Sequence, residues 1–158
     1  MKERLTLEKA EKIARESFGK TKNKENREYH LLHSALVKEI VNTLSRYFDV
    51  DKKVLEIAAL VHDIGYVTDP ENHAEESLKI LERKFKVGKV LKDCILNHGF
   101  NKKPITLEGK IFQLADKLYV LNPKLVSYLL KYKNTLKKED FKFLRRIFDK
   151  ALILFQKF

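Results

Sequence analysis

The chain has one cysteine, Cys94, among 158 residues. That excludes an intramolecular disulfide and a cysteine-rich zinc site, so any metal ligands must be His, Asp or Glu. Proline appears 3 times and glycine 5 times. With so few chain breakers, and with strand-like alternation nearly missing, the pattern reads as all-α. No apolar run nears the length that spans a bilayer, so no membrane partner is expected. No internal repeat or low-complexity tract interrupts the chain. The opening segment, MKERLTLEKAEKIARESF, is a charged amphipathic helix without the apolar stretch of a secretory signal, so a cytoplasmic location is expected. No P-loop and no Ser or Cys nucleophile arrangement is present, which leaves a covalent route without support.

What is present is a foldable mixture of 44% hydrophobic and 35% charged residues. The length suits one compact domain with a continuous core. Lys and Arg number 33 against 22 Asp and Glu, a formal net charge of +11. Such a charge attracts polyanions, either nucleic acid or phosphorylated small molecules. It also describes a Lys-rich thermophile surface. Lys is spread along the chain and not gathered into one block, which favours the second description.

Helical spacing recurs throughout, and the expectation is a single bundle of about seven to eight helices over residues 1–158. Thr6 is placed to cap a first helix reaching Phe18. The segment GKTKNKENRE reads as a polar loop. A long helix from about Arg27 to Phe48 carries the stripe Leu36, Ile40, Leu44 and Tyr47. Asp51 can cap the next helix, whose run VLEIAALVHDIG is apolar almost all round and therefore central. Gly65 is placed to end it. Asn72, with Glu75 three residues later, forms a capping-box pattern for a helix to about Phe85. Gly88 separates VGKVLKDCILNH, and the loop GFNKKPIT follows. LEGKIFQLADKLYVL stops near Asn122-Pro123, where Pro123 suits the first turn of another helix. LVSYLLKYK and FKFLRRIFDKALILF complete the bundle.

All five histidines lie between His30 and His98. His62-Asp63 ends the most buried helix, where a carboxylate is costly unless paired or bound to a cation. Alone, the dipeptide reads as a His-Asp hydrogen bond or a helix C-terminal His. Three further positions change that. His33 shares the stripe of Leu36, Ile40 and Leu44. His98 is in phase with Val87, Val90, Leu91, Cys94 and Ile95. Asp116 is in phase with Phe112 and Tyr119. Several inward His and Asp residues from different helices are better explained by a shared cation than by separate hydrogen bonds. Imidazole and carboxylate ligands suit Fe, Mn, Zn, Co or Ni, with no choice among them. His73 lies in the first turn of its helix, where the dipole favours the neutral, ligating imidazole; periodicity equally allows a surface residue. His30, one turn before His33, reads as a structural or rim residue, with orientation of a ligand as the other role.

These stretches resemble the HD-domain phosphohydrolase superfamily. The resemblance is carried by His33 in YHLLHSALVKEI, His62-Asp63 in AALVHDIGY and Asp116 in LADKL, in the order H…HD…D. His73 in NHAEESLKIL and His98 in CILNHGF are similar to the extra histidines of the H…HD…H…H…D subgroup of small phosphohydrolases. The motif core covers about residues 27–121, with the helices over 123–157 packing on it. The resemblance implies an HD fold and one or two divalent metal ions. It implies that His33, His62, Asp63 and Asp116 hold the first ion, and that His73 and His98 hold a second, with Asp63 bridging. Many members have Lys after the HD-x-Gly motif, where this chain has Tyr66. Lys102, Lys103 and Lys117 are the candidate replacements for contact with phosphate.

The expected function is metal-dependent hydrolysis of a phosphate ester or anhydride, with a nucleotide as the expected substrate. Asp63 and His62 are the expected catalytic pair, with Asp63 able to take a proton from water. Two rivals keep the metals. One is a nuclease or nucleic-acid-binding domain using Lys131, Lys133, Lys137, Lys138, Lys142, Arg145 and Arg146, although no base-readout motif accompanies them. The other is a di-iron oxygenase on the same six ligands. A non-catalytic scaffold is the fourth expectation, opposed by the completeness of the ligand set.

Overall fold

The computed structural model describes residues 1–158. It contains eight α-helices and one pair of two-residue strands, an all-α architecture. Helix α1 (Leu7–Gly19) starts where Thr6 accepts the Lys9 amide, and it buries Ala10, Ala14 and Phe18. Helix α2 (Lys24–Leu44) begins earlier than the apolar stripe implies. Asn23 caps it by accepting the Asn26 amide at 3.0 Å, so KENRE forms the first polar turns and not a loop. It also ends before Phe48, because the chain turns after Ser45. Helix α3 (Lys52–Val61) is capped by Asp51, which accepts the Val54 amide at 3.1 Å.

Helix α3 is the central element. Leu55, Ala58, Ala59 and Val61 are fully buried, and the helix packs against α1 and α2. Each fully buried Leu or Val contributes about 1.5–3 kcal/mol relative to an exposed position. After His62 and Asp63 the chain tightens into a 3₁₀ turn, Ile64–Val67. Gly65 does not end the helix through a left-handed backbone, since no glycine has positive φ. It is required by space: an added Cβ would lie 2.2 Å from the His73 carbonyl oxygen and 2.6 Å from the Ser77 amide. Those atoms belong to α4 (His73–Glu82). The Asn72–Glu75 capping box does not form. Asn72 instead turns to Asp69, giving its backbone and side-chain N–H groups to that carboxylate.

Helix α4 stops at Glu82, and Phe85–Lys86 forms strand β2, parallel to β1 (Glu3–Arg4). This pair was not expected from the sequence. Helix α5 (Lys89–Asn97) starts after Gly88 and ends at His98. Helix α6 (Leu107–Leu118) is capped by Thr106, whose hydroxyl accepts the Gly109 amide at 2.9 Å. Between them, Asp93 of α5 accepts the amides of Ile105 and Thr106 and the Thr106 hydroxyl, tying the loop to both helices. Helix α7 (Pro123–Lys131) has Asn122 as cap and Pro123 in its first turn. Helix α8 (Lys138–Phe155) packs on α6. One buried cluster runs from Leu5 to Ile147. No helix is long and apolar enough to cross a membrane.

Candidate metal centre

Five helix segments converge on one point. His33 comes from the middle of α2, and His62-Asp63 from the turn after α3. His73 opens α4, His98 closes α5 and Asp116 lies near the end of α6. His33, His62, Asp63, His98 and Asp116 are buried, and His73 is partly so. On one side, the His33 and His62 Nε2 atoms are 3.1 Å apart and lie 3.0 and 3.2 Å from Asp116 Oδ1. Asp63 Oδ2 faces the same two nitrogens at 3.5 and 3.3 Å. On the other side, the Nε2 atoms of His73 and His98 are 3.2 Å apart, and each is 3.5 Å from Asp63 Oδ1. The two Asp63 oxygens therefore face two separate pairs of imidazoles.

The tautomers give these contacts their meaning. The Nδ1–H groups of His62, His73 and His98 point at the carbonyls of Ala58, Pro70 and Ile95, at 3.2, 3.1 and 2.6 Å. A neutral ring held that way turns the Nε2 lone pair inward. Lone pairs then face lone pairs and carboxylate oxygens, an arrangement that only positive charge satisfies. Asp63 Oδ1 is buried without a hydrogen-bond donor, which makes the demand specific to the His73–His98 side. Ligand atoms bound at about 2.0–2.2 Å to one ion stand roughly 3.0–3.5 Å from each other, the range found here. His33, His62 and Asp116 on one side, and His62, Asp63 and His98 across the centre, each offer atoms within 4.8 Å of one another. The residues fit a divalent cation.

Protonation equilibria report the same demand. Burial opposes a charged His62, yet the Asp63 and Asp116 carboxylates push it up to about 10. Burial alone would raise Asp63, but His62, His98 and His33 hold it well below the usual carboxylate range. Asp116 is held low against burial by the Lys117 ammonium and by His33 and His62. Burial lowers the pKa of His73, favouring its neutral form.

Around the centre is a cleft of about 350 Å³, a size suited to a small molecule. Lys117 is buried in its wall, with its ammonium beside Asp116 and 4.8 Å from the centre of the Phe100 ring. Lys102 and Lys103 do not line this cleft; they border a different cavity beyond Phe100. Tyr66 does line it, and its ring lies nearly parallel to His73 at 4.0 Å, holding that imidazole in place. His30 is a wall residue, stacked on Phe18 at 5.2 Å with no polar partner for Nδ1.

Some contributors escaped the sequence reading. Ser77, fully buried on α4, accepts the Gly65 amide at 2.8 Å and donates to the His62 carbonyl at 2.7 Å. It clips the helix carrying His73 to the turn carrying His62 and Asp63. Tyr29 and Tyr119 share a 2.5 Å hydrogen bond between hydroxyls, and both pack on the His33 ring. Tyr29 stands one helical turn before His33, so its phase was a usable signal. Phe143 and Ile147 of α8 also line the cleft; their four-residue spacing fits one helix face, but nothing local says which cavity they reach.

The family model of the HD domain matches residues 31–121. The chain belongs to the HD domain family. It is 31% identical over 112 residues to a deoxyguanosinetriphosphate triphosphohydrolase-like protein of Caldanaerobacter subterraneus subsp. tengcongensis, covering 58% of this chain and 33% of that one. A protein of the same description from Clostridium tetani is 31% identical over 118 residues, covering 58% and 34%. The chain thus spans about a third of the length of these curated relatives. No solved structure matches it.

Proposed function

We propose that the chain is a metal-dependent phosphohydrolase acting on a phosphate ester or anhydride of a nucleotide. The observation that carries this reading is Asp63, whose two oxygens each face a pair of imidazole nitrogens. In the proposed assignment His33, His62, Asp63 and Asp116 hold one divalent ion, of Mn, Fe, Co, Ni or Zn. His73 and His98 hold a second, which Asp63 shares. Such ions lower the pKa of bound water and offset charge on a phosphoryl group.

The chain's own residues prepare that chemistry. Main-chain carbonyls fix three imidazoles in the ligating tautomer. Lys117 offsets the charge of Asp116 and offers a fixed ammonium at the cleft wall for a phosphate oxygen. Asp63, kept ionised, is available to take a proton from the attacking water. The names of the two relatives support a nucleotide substrate. A nucleic-acid role for the last two helices draws less support. Lys131 is engaged by Glu28 and Arg145 by Asp149, while Arg146 lies over Phe100.

The test is phosphate release across nucleotides, cyclic nucleotides and dinucleotides with Mn, Co, Ni, Fe and Mg compared, alongside metal analysis of untagged protein. Asp63→Ala is expected to lose both bound metal and turnover. Full activity in that variant, or oxygen uptake on an organic substrate with no phosphate release, refutes the proposal.

A further inference from the structure

Beyond the Phe100 ring lies a second cleft of about 530 Å³. Five lysines border it: Lys102 and Lys103 from the loop after α5, Lys110 from α6, Lys150 from α8 and Lys157 just past it. No Asp or Glu is among the lining residues. Lys102 reaches Glu75 at 3.7 Å, whereas Lys103, Lys110, Lys150 and Lys157 form no ion pair. Elsewhere some surface lysines are paired: Lys9 with Glu3, Lys38 with Glu11, Lys92 with Glu82, Lys124 with Glu39 and Lys131 with Glu28. Unpaired lysines occur elsewhere on the surface too, but four of them share this one concavity, where mutual repulsion opposes folding unless an anion enters. Burial first, then the charges of Lys157 and Lys117, depress the Lys150 pKa, as such crowding requires.

The chemistry of the cleft selects its occupant. Ammonium groups on flexible stems suit phosphate as point charges. A terminal phosphate brings about two negative charges and each inner one brings one, so a chain of three, carrying about four to five, comes nearest to the five amines. We propose that this cleft binds a chain of linked phosphates, inorganic or part of a nucleoside polyphosphate, at a site separate from the His62-Asp63 centre. The proposal gives Lys102 and Lys103 a phosphate role away from the cleft first expected for them. It stands whether or not the chain is a phosphohydrolase. Phe100 is common to both clefts, and Gln113 donates to the carbonyls of Asn97, Gly99 and Lys102, anchoring the loop between them. Phe100 and Phe158 offer apolar walls for a base, if the phosphate chain carries one.

Calorimetric titration of the full chain with inorganic triphosphate and with orthophosphate tests this. Triphosphate is expected to bind more tightly, with strong salt dependence. Lys110→Gln/Lys150→Gln is expected to weaken it by about tenfold or more, and Lys110→Arg/Lys150→Arg to restore it. The isosteric Asp63→Asn is expected to leave it unchanged. A non-hydrolysable nucleoside triphosphate binding more tightly than inorganic triphosphate assigns the base to the Phe100–Phe158 walls; equal affinity assigns the phosphate chain alone. Either result supports the site. Triphosphate binding that survives the double Gln substitution or disappears in Asp63→Asn overturns it, as does binding of a single-stranded oligonucleotide without any binding of triphosphate.

Discussion

Gly65→Ala changes one hydrogen into one methyl group, and the structure makes its effect calculable. The new Cβ would lie 2.2 Å from the His73 carbonyl oxygen, 2.6 Å from the Ser77 amide and 3.0 Å from Glu76 Cβ. Ordinary contact begins at 3.4 Å, so the first turn of α4 must retreat by about an ångström. Two of the three atoms are backbone, so no side-chain rotation can relieve the overlap. Overpacking of this kind costs about 1–3 kcal/mol, or a fall in Tm of about 3–10 °C for a chain of this size. The retreat also carries His73 away from Asp63, whereas ligand distances tolerate only about 0.2 Å. The second ion is therefore expected to bind about 10–100-fold more weakly, in the range set by displaced ligand-supporting groups. The first ion, whose proposed ligands come from α2, α6 and the turn after α3, should be retained. Calorimetry and a two-step metal titration followed by mass spectrometry read these quantities separately. Unchanged Tm with two ions of unchanged affinity would refute the packing argument, and loss of both ions in a folded protein would refute the division between them.

Asp93→Ala removes the acceptor for two backbone amides and the Thr106 hydroxyl. It is expected to cost about 2–4 kcal/mol in urea unfolding; a loss below the error of that measurement would show the loop to be held otherwise. The wild-type Asp93 carboxyl is lowered from 3.8: burial raises it, but the Thr106, Asn97 and Ile105 hydrogen bonds lower it further. Its contribution is therefore complete above about pH 4 and fades as pH falls through the depressed folded value, so wild type and Asp93→Ala should converge in stability in acid. Lys117→Met leaves the Asp116 carboxylate without its ammonium partner in a buried wall. Metal-stripped protein is expected to lose up to about 3 kcal/mol, and added Mn should recover more stability in the variant than in wild type. Equal metal-induced Tm shifts would show that Lys117 does not share the charge balance of the centre.

Much of the helical frame is local information. Thr6, Asp51 and Asn122-Pro123 mark helix starts through hydrogen bonds made within three residues, and the structure uses each of them. The inward phases of His33, His98 and Asp116 are also local, because a stripe of apolar neighbours fixes the buried face of a helix. What failed to show was tertiary. Two-residue strands have no period to detect, so β1 and β2 exist only because the fold brings Glu3–Arg4 beside Phe85–Lys86. Gly65 looked like a helix stop, and only the approach of α4 reveals its need for space. Asn72 has a carboxylate three residues away on either side, Asp69 and Glu75, and turns to Asp69. Lys102 and Lys103 follow His98 closely, yet the side of the Phe100 ring on which they fall depends on how the loop is held by Gln113 and Asp93, neither of which announces that role.

The partners of the three inward imidazoles are carbonyls of Ala58, Pro70 and Ile95. A carbonyl belongs to every residue type, so these anchors survive any substitution that leaves the backbone path intact. The ring orientations are consequently indifferent to sequence drift in their immediate surroundings, and no outer polar side chain has to be carried along with them. Grafting these imidazoles onto another helical scaffold becomes a question of matching three stretches of main chain. In this chain, the changes that threaten them are those that bend or displace a helix end.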